Sequence, residues 1–141
     1  MIYIVVSTFY EKLSNELING VDSCIHQEGH FPKFKIIKVP GAFEIPGMVK
    51  QILDNKKPEL IITLGVIIKG ETNHFEQISD FVFNSISTLT ISSDVPIAFG
   101  VISAKNYEQA EERALTSRKN KGYEVASAGL KMLKLYEQYK K

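Results

Sequence analysis

Nine consecutive residues, Leu60 to Ile68 (LIITLGVII), are almost all aliphatic, and they run straight into Lys69-Gly70-Glu71-Thr72-Asn73-His74. So apolar a run, without polar alternation, has to be covered on both faces, which is the condition of a central strand in a parallel sheet. Thr72 suits a helix cap, and Phe75, Ile78, Val82, Ile86 and Leu89 follow at helical spacing, so the spacing predicts an amphipathic helix from Thr72 to about Ser92. At a strand-to-helix turn the free backbone N–H groups and the helix dipole favour an anion, and a first-turn side chain opens onto the same solvent. One short segment therefore offers an anion cradle and the imidazole of His74 together.

The rest of the chain alternates in the same way. Ile2 to Ser7 reads as a strand, and Leu13, Leu17, Val21, Cys24 and Ile25 then recur at helical spacing until Gly29 and Pro32 close the helix. Lys35 to Val39 is a second strand, and Pro40-Gly41 turns the chain into a helix carrying Ile45, Val49, Ile52 and Leu53, with Pro46 tolerated in its first turn. Pro96 to Ile102 is a fourth strand. Helices through Tyr107 to Leu115 and Tyr123 to Tyr139 follow, separated by the polar segment Thr116 to Gly122. Strands alternating with helices imply right-handed crossovers and an α/β fold, a flavodoxin-like three-layer α/β/α sandwich with a four-stranded parallel sheet. Ligands in such sheets bind beyond the carboxyl ends of the strands, so four rim segments are candidates: Ser7 to Tyr10, Pro40 to Glu44, Lys69 to His74, and Gly100 to Ala104.

At 141 residues the chain is expected to be one domain, with no internal repeat or linker. Its 17 basic and 16 acidic residues nearly cancel, and the lysines are scattered or gathered at the C-terminus without interleaved aromatics, so nucleic acid is not the expected partner. Cys24 stands alone, which precludes an intrachain disulfide, and it falls on the apolar face of the first helix. The start MIYIVVSTFY has no basic leader, and no run reaches membrane length, so the cytoplasm is the expected compartment and no membrane is implied.

Gly65 and Gly70 have the spacing of the nucleotide pattern G-x-x-x-x-G-K-[ST], but Glu71 stands where that pattern needs a lysine. A carboxylate there repels the outer phosphates of a nucleoside triphosphate, and a single phosphate monoester remains the better fit. His74 reads either as an exposed helix residue or, at the rim, as a proton-transfer group whose cationic form the helix N-terminus disfavours. His26 and His30 lie away from that rim, and without a further Cys or His cluster no metal site is expected. Phe9, Phe43 and Phe99 fall at strand ends or in the turns after them, where they could line a slot for a flat ring instead of packing a core. Glu44 could bind hydroxyls or merely complement a helix dipole. Arg113, with Gln109 one turn back, and Lys121 read as surface cations, although a guanidinium is the best grip for a phosphate monoester.

Five motifs, in this order and at these gaps, resemble the lumazine synthase family: VPGAFEIP (39 to 46), LGVIIKGETNHF (64 to 75), PIAFGVI (96 to 102), EQAEERA (108 to 114) and NKG (120 to 122). The resemblance covers nearly the whole chain and implies the flavodoxin-like fold already argued from alternation. It implies condensation of 5-amino-6-(D-ribitylamino)uracil with 3,4-dihydroxy-2-butanone 4-phosphate to 6,7-dimethyl-8-ribityllumazine, without cofactor or metal. Carried over residue by residue, it implies that the pyrimidine lies against Phe9, that Ala42, Phe43 and Glu44 hold the ribityl side, and that the backbone of Val66, Ile67 and Ile68 reads the ring edge. His74 matches the proton-transfer histidine, Gly70, Glu71 and Thr72 the turn that receives phosphate, and Arg113 its arginine partner. Phe99 and Lys121 match residues that close the site from the adjacent subunit.

Lys69 departs from the pattern where arginine is common, Leu115 replaces a frequent glycine, and the chain opens on its first sheet strand where many relatives have an extra one. The resemblance further implies a pentamer with sites between adjacent subunits. It permits a hollow shell of pentamers, since no insertion separates Arg113 from Asn120, and leaves room for association with riboflavin synthase. Rival readings fare worse. A flavin carrier of flavodoxin type needs a glycine in the loop STFYEK (7 to 12), a signalling receiver needs carboxylates at strand ends, and an inactive shell protein need not keep His74, Arg113, Phe9 and Lys121 together.

Overall fold

The computed structural model describes residues 1–29, 33–71 and 73–140. Its elements are β1 (Ile2–Ser7), α1 (Glu11–Glu28), β2 (Phe34–Val39), a 3-10 turn (Ala42–Glu44), α2 (Ile45–Asn55), β3 (Leu60–Ile68), α3 (Phe75–Ser92), β4 (Ile97–Ala104), α4 (Tyr107–Ala114) and α5 (Lys121–Tyr139). The strands pair in the order β2-β1-β3-β4, every pair parallel.

All nine residues of β3 are buried, and strand geometry sends them alternately to two cores. Leu60, Ile62, Leu64, Val66 and Ile68 join the core made with α1, α4 and α5. Ile61 and Ile67 join the one made with α2 and α3, to which Val82 and Ile86 contribute. The sheet is thus the middle of three layers. The chain leaves β1 for a helix on one face and β3 for a helix on the other, so a crevice opens where their carboxyl ends diverge.

Element ends differ from the sequence reading in instructive ways. Helix α3 begins at Phe75 with His74 as its N-cap, later than the expected start at Thr72, which lies outside the described residues. Gly29 closes α1 in the left-handed region (φ 73°), its N–H donating to Ile25 O, while His30 and Pro32 lie outside the described residues. Strand β4 runs two residues past Ile102, so Gly100 to Ala104, expected as a rim loop, is strand paired with Leu64 to Ile68. The long partner strand sustains the ladder through Ser103 and Ala104, small residues that carry no apolar signal. Helix α5 starts at Lys121 because the Asn120 side chain accepts the Tyr123 N–H at 2.8 Å.

Candidate active site

The crevice holds a cavity of about 290 Å³ at the carboxyl ends of β1, β2 and β3. Phe9 and Tyr10 line it from the exit of β1, Gly41, Ala42, Phe43 and Glu44 from the turn after β2, and Val66, Ile67 and Ile68 from the end of β3. Glu71 and, one turn into α3, Ile78 complete the wall. The substrate-binding residues expected from the first two rim segments therefore meet those at the end of β3 in one place.

Local hydrogen bonds fix these segments. The Thr8 N–H and hydroxyl both donate to Val39 O, at 2.9 and 3.3 Å, which ties the β1 exit to the tip of β2. The Ser14 hydroxyl donates to the Ser7 carbonyl, holding the start of α1 against the strand end. Glu44 N–H donates to Gly41 O at 3.1 Å and closes the 3-10 turn that presents Ala42 and Phe43. Phe9 is 70% exposed and Phe43 is 54% exposed, although Phe43 stacks on Phe81 of α3 at 4.5 Å between ring centres. Aromatic faces left open beside an apolar cavity suit a flat ring.

At the exit of β3, Lys69 N–H donates to Ala104 O at 2.9 Å and Gly70 takes φ 88°, a conformation that favours glycine. Gly65 has a different reason to be glycine. A Cβ there would lie 2.7 Å from the Ser7 hydroxyl, so its bareness serves the packing of β1 on β3 and not a phosphate loop. Glu71 donates its N–H to Ile68 O at 3.3 Å and lines the cavity. Burial first, then the nearby Glu71 carboxylate and Tyr107, pushes the Tyr10 phenol above its ordinary range.

His74 is exposed at the head of α3, its carbonyl accepting the Ile78 N–H at 2.9 Å, and in sequence it lies between the lining residues Glu71 and Ile78 without itself lining the cavity. Arg113 reaches the rim from α4. Its Nη1 donates to Ser103 O at 3.1 Å, Ser103 stands in register with Ile67, and the Ser103 and Ser79 hydroxyls meet at 3.1 Å. Imidazole and guanidinium thus belong to the same end of the sheet, reached from opposite faces.

Phe99 is not at a strand end. It is the third residue of β4, opposite Thr63, edge-on to Phe83 at 5.5 Å. With Lys121 it lines a separate hollow of about 310 Å³ between β4 and α5, so one subunit does not bring either residue to the cavity. Among the described residues no three His, Cys, Asp or Glu side chains gather as metal ligands, and no helix is long and apolar enough to cross a membrane. Sequence reasoning assigned no role to Tyr10, whose only signal is its place beside Phe9 on a rim segment.

The sequence profile of the 6,7-dimethyl-8-ribityllumazine synthase family matches residues 1–137. The chain is 40% identical over 140 residues to the 6,7-dimethyl-8-ribityllumazine synthase of Leuconostoc mesenteroides, covering 99% of this chain and 90% of the relative. It is 38% identical over 136 residues to the proteins of that name from Chlorobaculum tepidum and Chlorobium phaeovibrioides, covering 96% of this chain and 88% of each relative. With family profile, relatives and three-layer fold in agreement over nearly its full length, the chain belongs to the 6,7-dimethyl-8-ribityllumazine synthase family, enzymes of riboflavin biosynthesis.

Proposed function

We propose that this enzyme condenses 5-amino-6-(D-ribitylamino)uracil with 3,4-dihydroxy-2-butanone 4-phosphate, giving 6,7-dimethyl-8-ribityllumazine, phosphate and water. The observation that carries the reading is the cavity at the diverging ends of β1 and β3, with open aromatic faces at Phe9 and Phe43. The pyrimidine rests against Phe9, its edge on the backbone of Val66 to Ile68, and Phe43 and Glu44 hold the ribityl side. The phosphate is received by the Gly70, Glu71 and Thr72 segment, with Arg113 as its cationic partner.

An amine attacks the ketone and a first water leaves to form an imine, phosphate is eliminated, and the second nitrogen attacks the carbonyl that the elimination uncovers, closing the ring with loss of a second water. Both reactants are reactive already, so the protein contributes mainly proximity, an anion site and one proton-transfer group, His74. Phe99 and Lys121 complete the cavity of an adjacent copy, which makes the working unit a homo-oligomer, a pentamer on the family's pattern. The reading needs no metal or cofactor and puts the enzyme in the cytoplasm, with its product passing to riboflavin synthase. To test it, the purified protein is mixed with both substrates, lumazine absorbance is followed, and solution mass is measured on the same sample. A protein-dependent rate from an oligomer is expected; product at the uncatalysed rate returns the chain to a carrier or shell role.

A further inference from the structure

Ser103, the next-to-last residue of β4, is held from both faces of the sheet at once. Its hydroxyl donates to that of Ser79 on α3 at 3.1 Å, and its carbonyl accepts from Arg113 Nη1 on α4 at 3.1 Å. Strand geometry accounts for the division. Phe99 and Val101 belong to the core made with α2 and α3, so period-two alternation turns the Ser103 side chain toward α3. Ala104 O points toward β3, where it accepts the Lys69 N–H, so Ser103 O points out to the unpaired edge of β4, within reach of an arginine coming from the other face. One residue therefore fixes the guanidinium relative to α3, the helix that His74 caps.

The bond leaves Arg113 able to bind an anion. Among the described residues it has no carboxylate partner, whereas Arg118 is paired with Glu112 and Lys121 with Glu124. A carbonyl takes one N–H and cancels no charge, so the rest of the planar fork stays free for two-pronged bonding. The turn that leads to α4 is fixed as well, since the Gln109 side chain accepts the Lys105 N–H at 2.7 Å and Asn106 caps the helix.

We propose that Ser103 is a positioning residue: its hydroxyl bond to Ser79 holds the Arg113 guanidinium in register with the turn at the head of α3, so that both grip one phosphate group. The identity of the ligand that carries this group rests on the function proposed above. An exposed hydroxyl pair adds little to stability, because water replaces either bond, so a loss of registry separates from a loss of fold.

Ser103→Ala and Ser79→Ala each remove one half of this strut and keep the carbonyl that Arg113 uses. On the full-length oligomer, affinity for inorganic phosphate should weaken about 3- to 10-fold in either variant and KM for the butanone phosphate rise by the same factor, while KM for the ribitylaminouracil stays within about 2-fold. The double variant should lose no more than either single one, and Ser103→Thr, which keeps the hydroxyl, should restore most of the affinity. With Arg113→Ala already in place, Ser103→Ala should raise KM for the butanone phosphate no further. Unchanged affinity and KM, equal losses for both substrates, or a further loss in the Arg113→Ala background would overturn the assignment, the last because it makes the hydroxyl a direct ligand. If the wild type binds phosphate but turns nothing over, the proposed reaction fails on its own and the titration still decides Ser103. In an active wild type whose free phosphate binds too weakly to titrate, KM for the butanone phosphate decides alone. A wild type that neither binds phosphate nor turns over overturns both.

Discussion

His74 and Arg113 reach the rim from different helices, and their chemistry separates what each deletion should do. His74→Ala should lower kcat about 10- to 100-fold with little change in either KM, because general acid–base help is limited and water can substitute. Arg113→Ala should instead raise KM for the butanone phosphate about 10- to 100-fold, the worth of charge-assisted bonds to a phosphate, and Arg113→Lys should recover only part of that for want of the planar fork. Steady-state kinetics with each substrate varied in turn checks both; equal effects on the two substrates would contradict the division. These two residues are legible in the sequence because strand ends and motifs mark them. The ring contacts of Tyr10 and the N–H bond of Glu71 are not, since which rings meet and whether a turn consumes an N–H depend on the folded chain.

Elements were easiest to read where burial alone set them. The limits of β3 coincide with its apolar run because a strand covered on both faces must be apolar throughout, whereas the end of β4 and the start of α3 depend on partner length and capping, which periodicity does not record. Capping also governs how α1, α4 and α5 are joined. Asn120 donates from Nδ2 to Glu16 O and Ala114 O and accepts the Tyr123 N–H, so one side chain satisfies groups on three helices. Gly122 beside it lies so near α1 that a Cβ would come within 2.0 Å of Leu17 O. Asn120→Ala should cost about 2–3 kcal/mol, the cap plus partners left without a bond, and Asn120→Asp less, since the capping oxygen survives. Urea unfolding midpoints decide this, and a loss below about 0.5 kcal/mol for the alanine would mean the three helices are held by packing alone.

At the scale of the molecule, burial sets an alkaline limit and the sheet edge sets the assembly. Burial chiefly, with Glu28, pushes the Cys24 thiol above its ordinary 9.0, and Tyr10 likewise lies above 10.0. In the unfolded chain both groups release their protons first, so the stability they contribute is whole below pH 9.0 and is lost as pH rises through the raised native values. Denaturation midpoints should fall as the pH rises above 9.0, and a midpoint rising there would reverse the sign. The edge strand β4 carries Phe99, and with Lys121 it lines a hollow apart from the cavity lined by Phe9, Phe43 and Glu44. No movement within one rigid subunit unites the two, so if both surfaces serve one reaction, the cavity of one copy must meet the β4–α5 edge of the next, a head-to-tail contact that closes into a ring. Subunits bearing His74→Ala and subunits bearing Lys121→Ala should each be poorly active alone. Unfolded together and reassembled in equal amounts, they should regain about a quarter of the wild-type sites, those pairing an intact cavity with an intact neighbouring edge. Activity no higher than the mean of the two separate variants, in a mixed oligomer verified by mass, would mean that each subunit completes its own site.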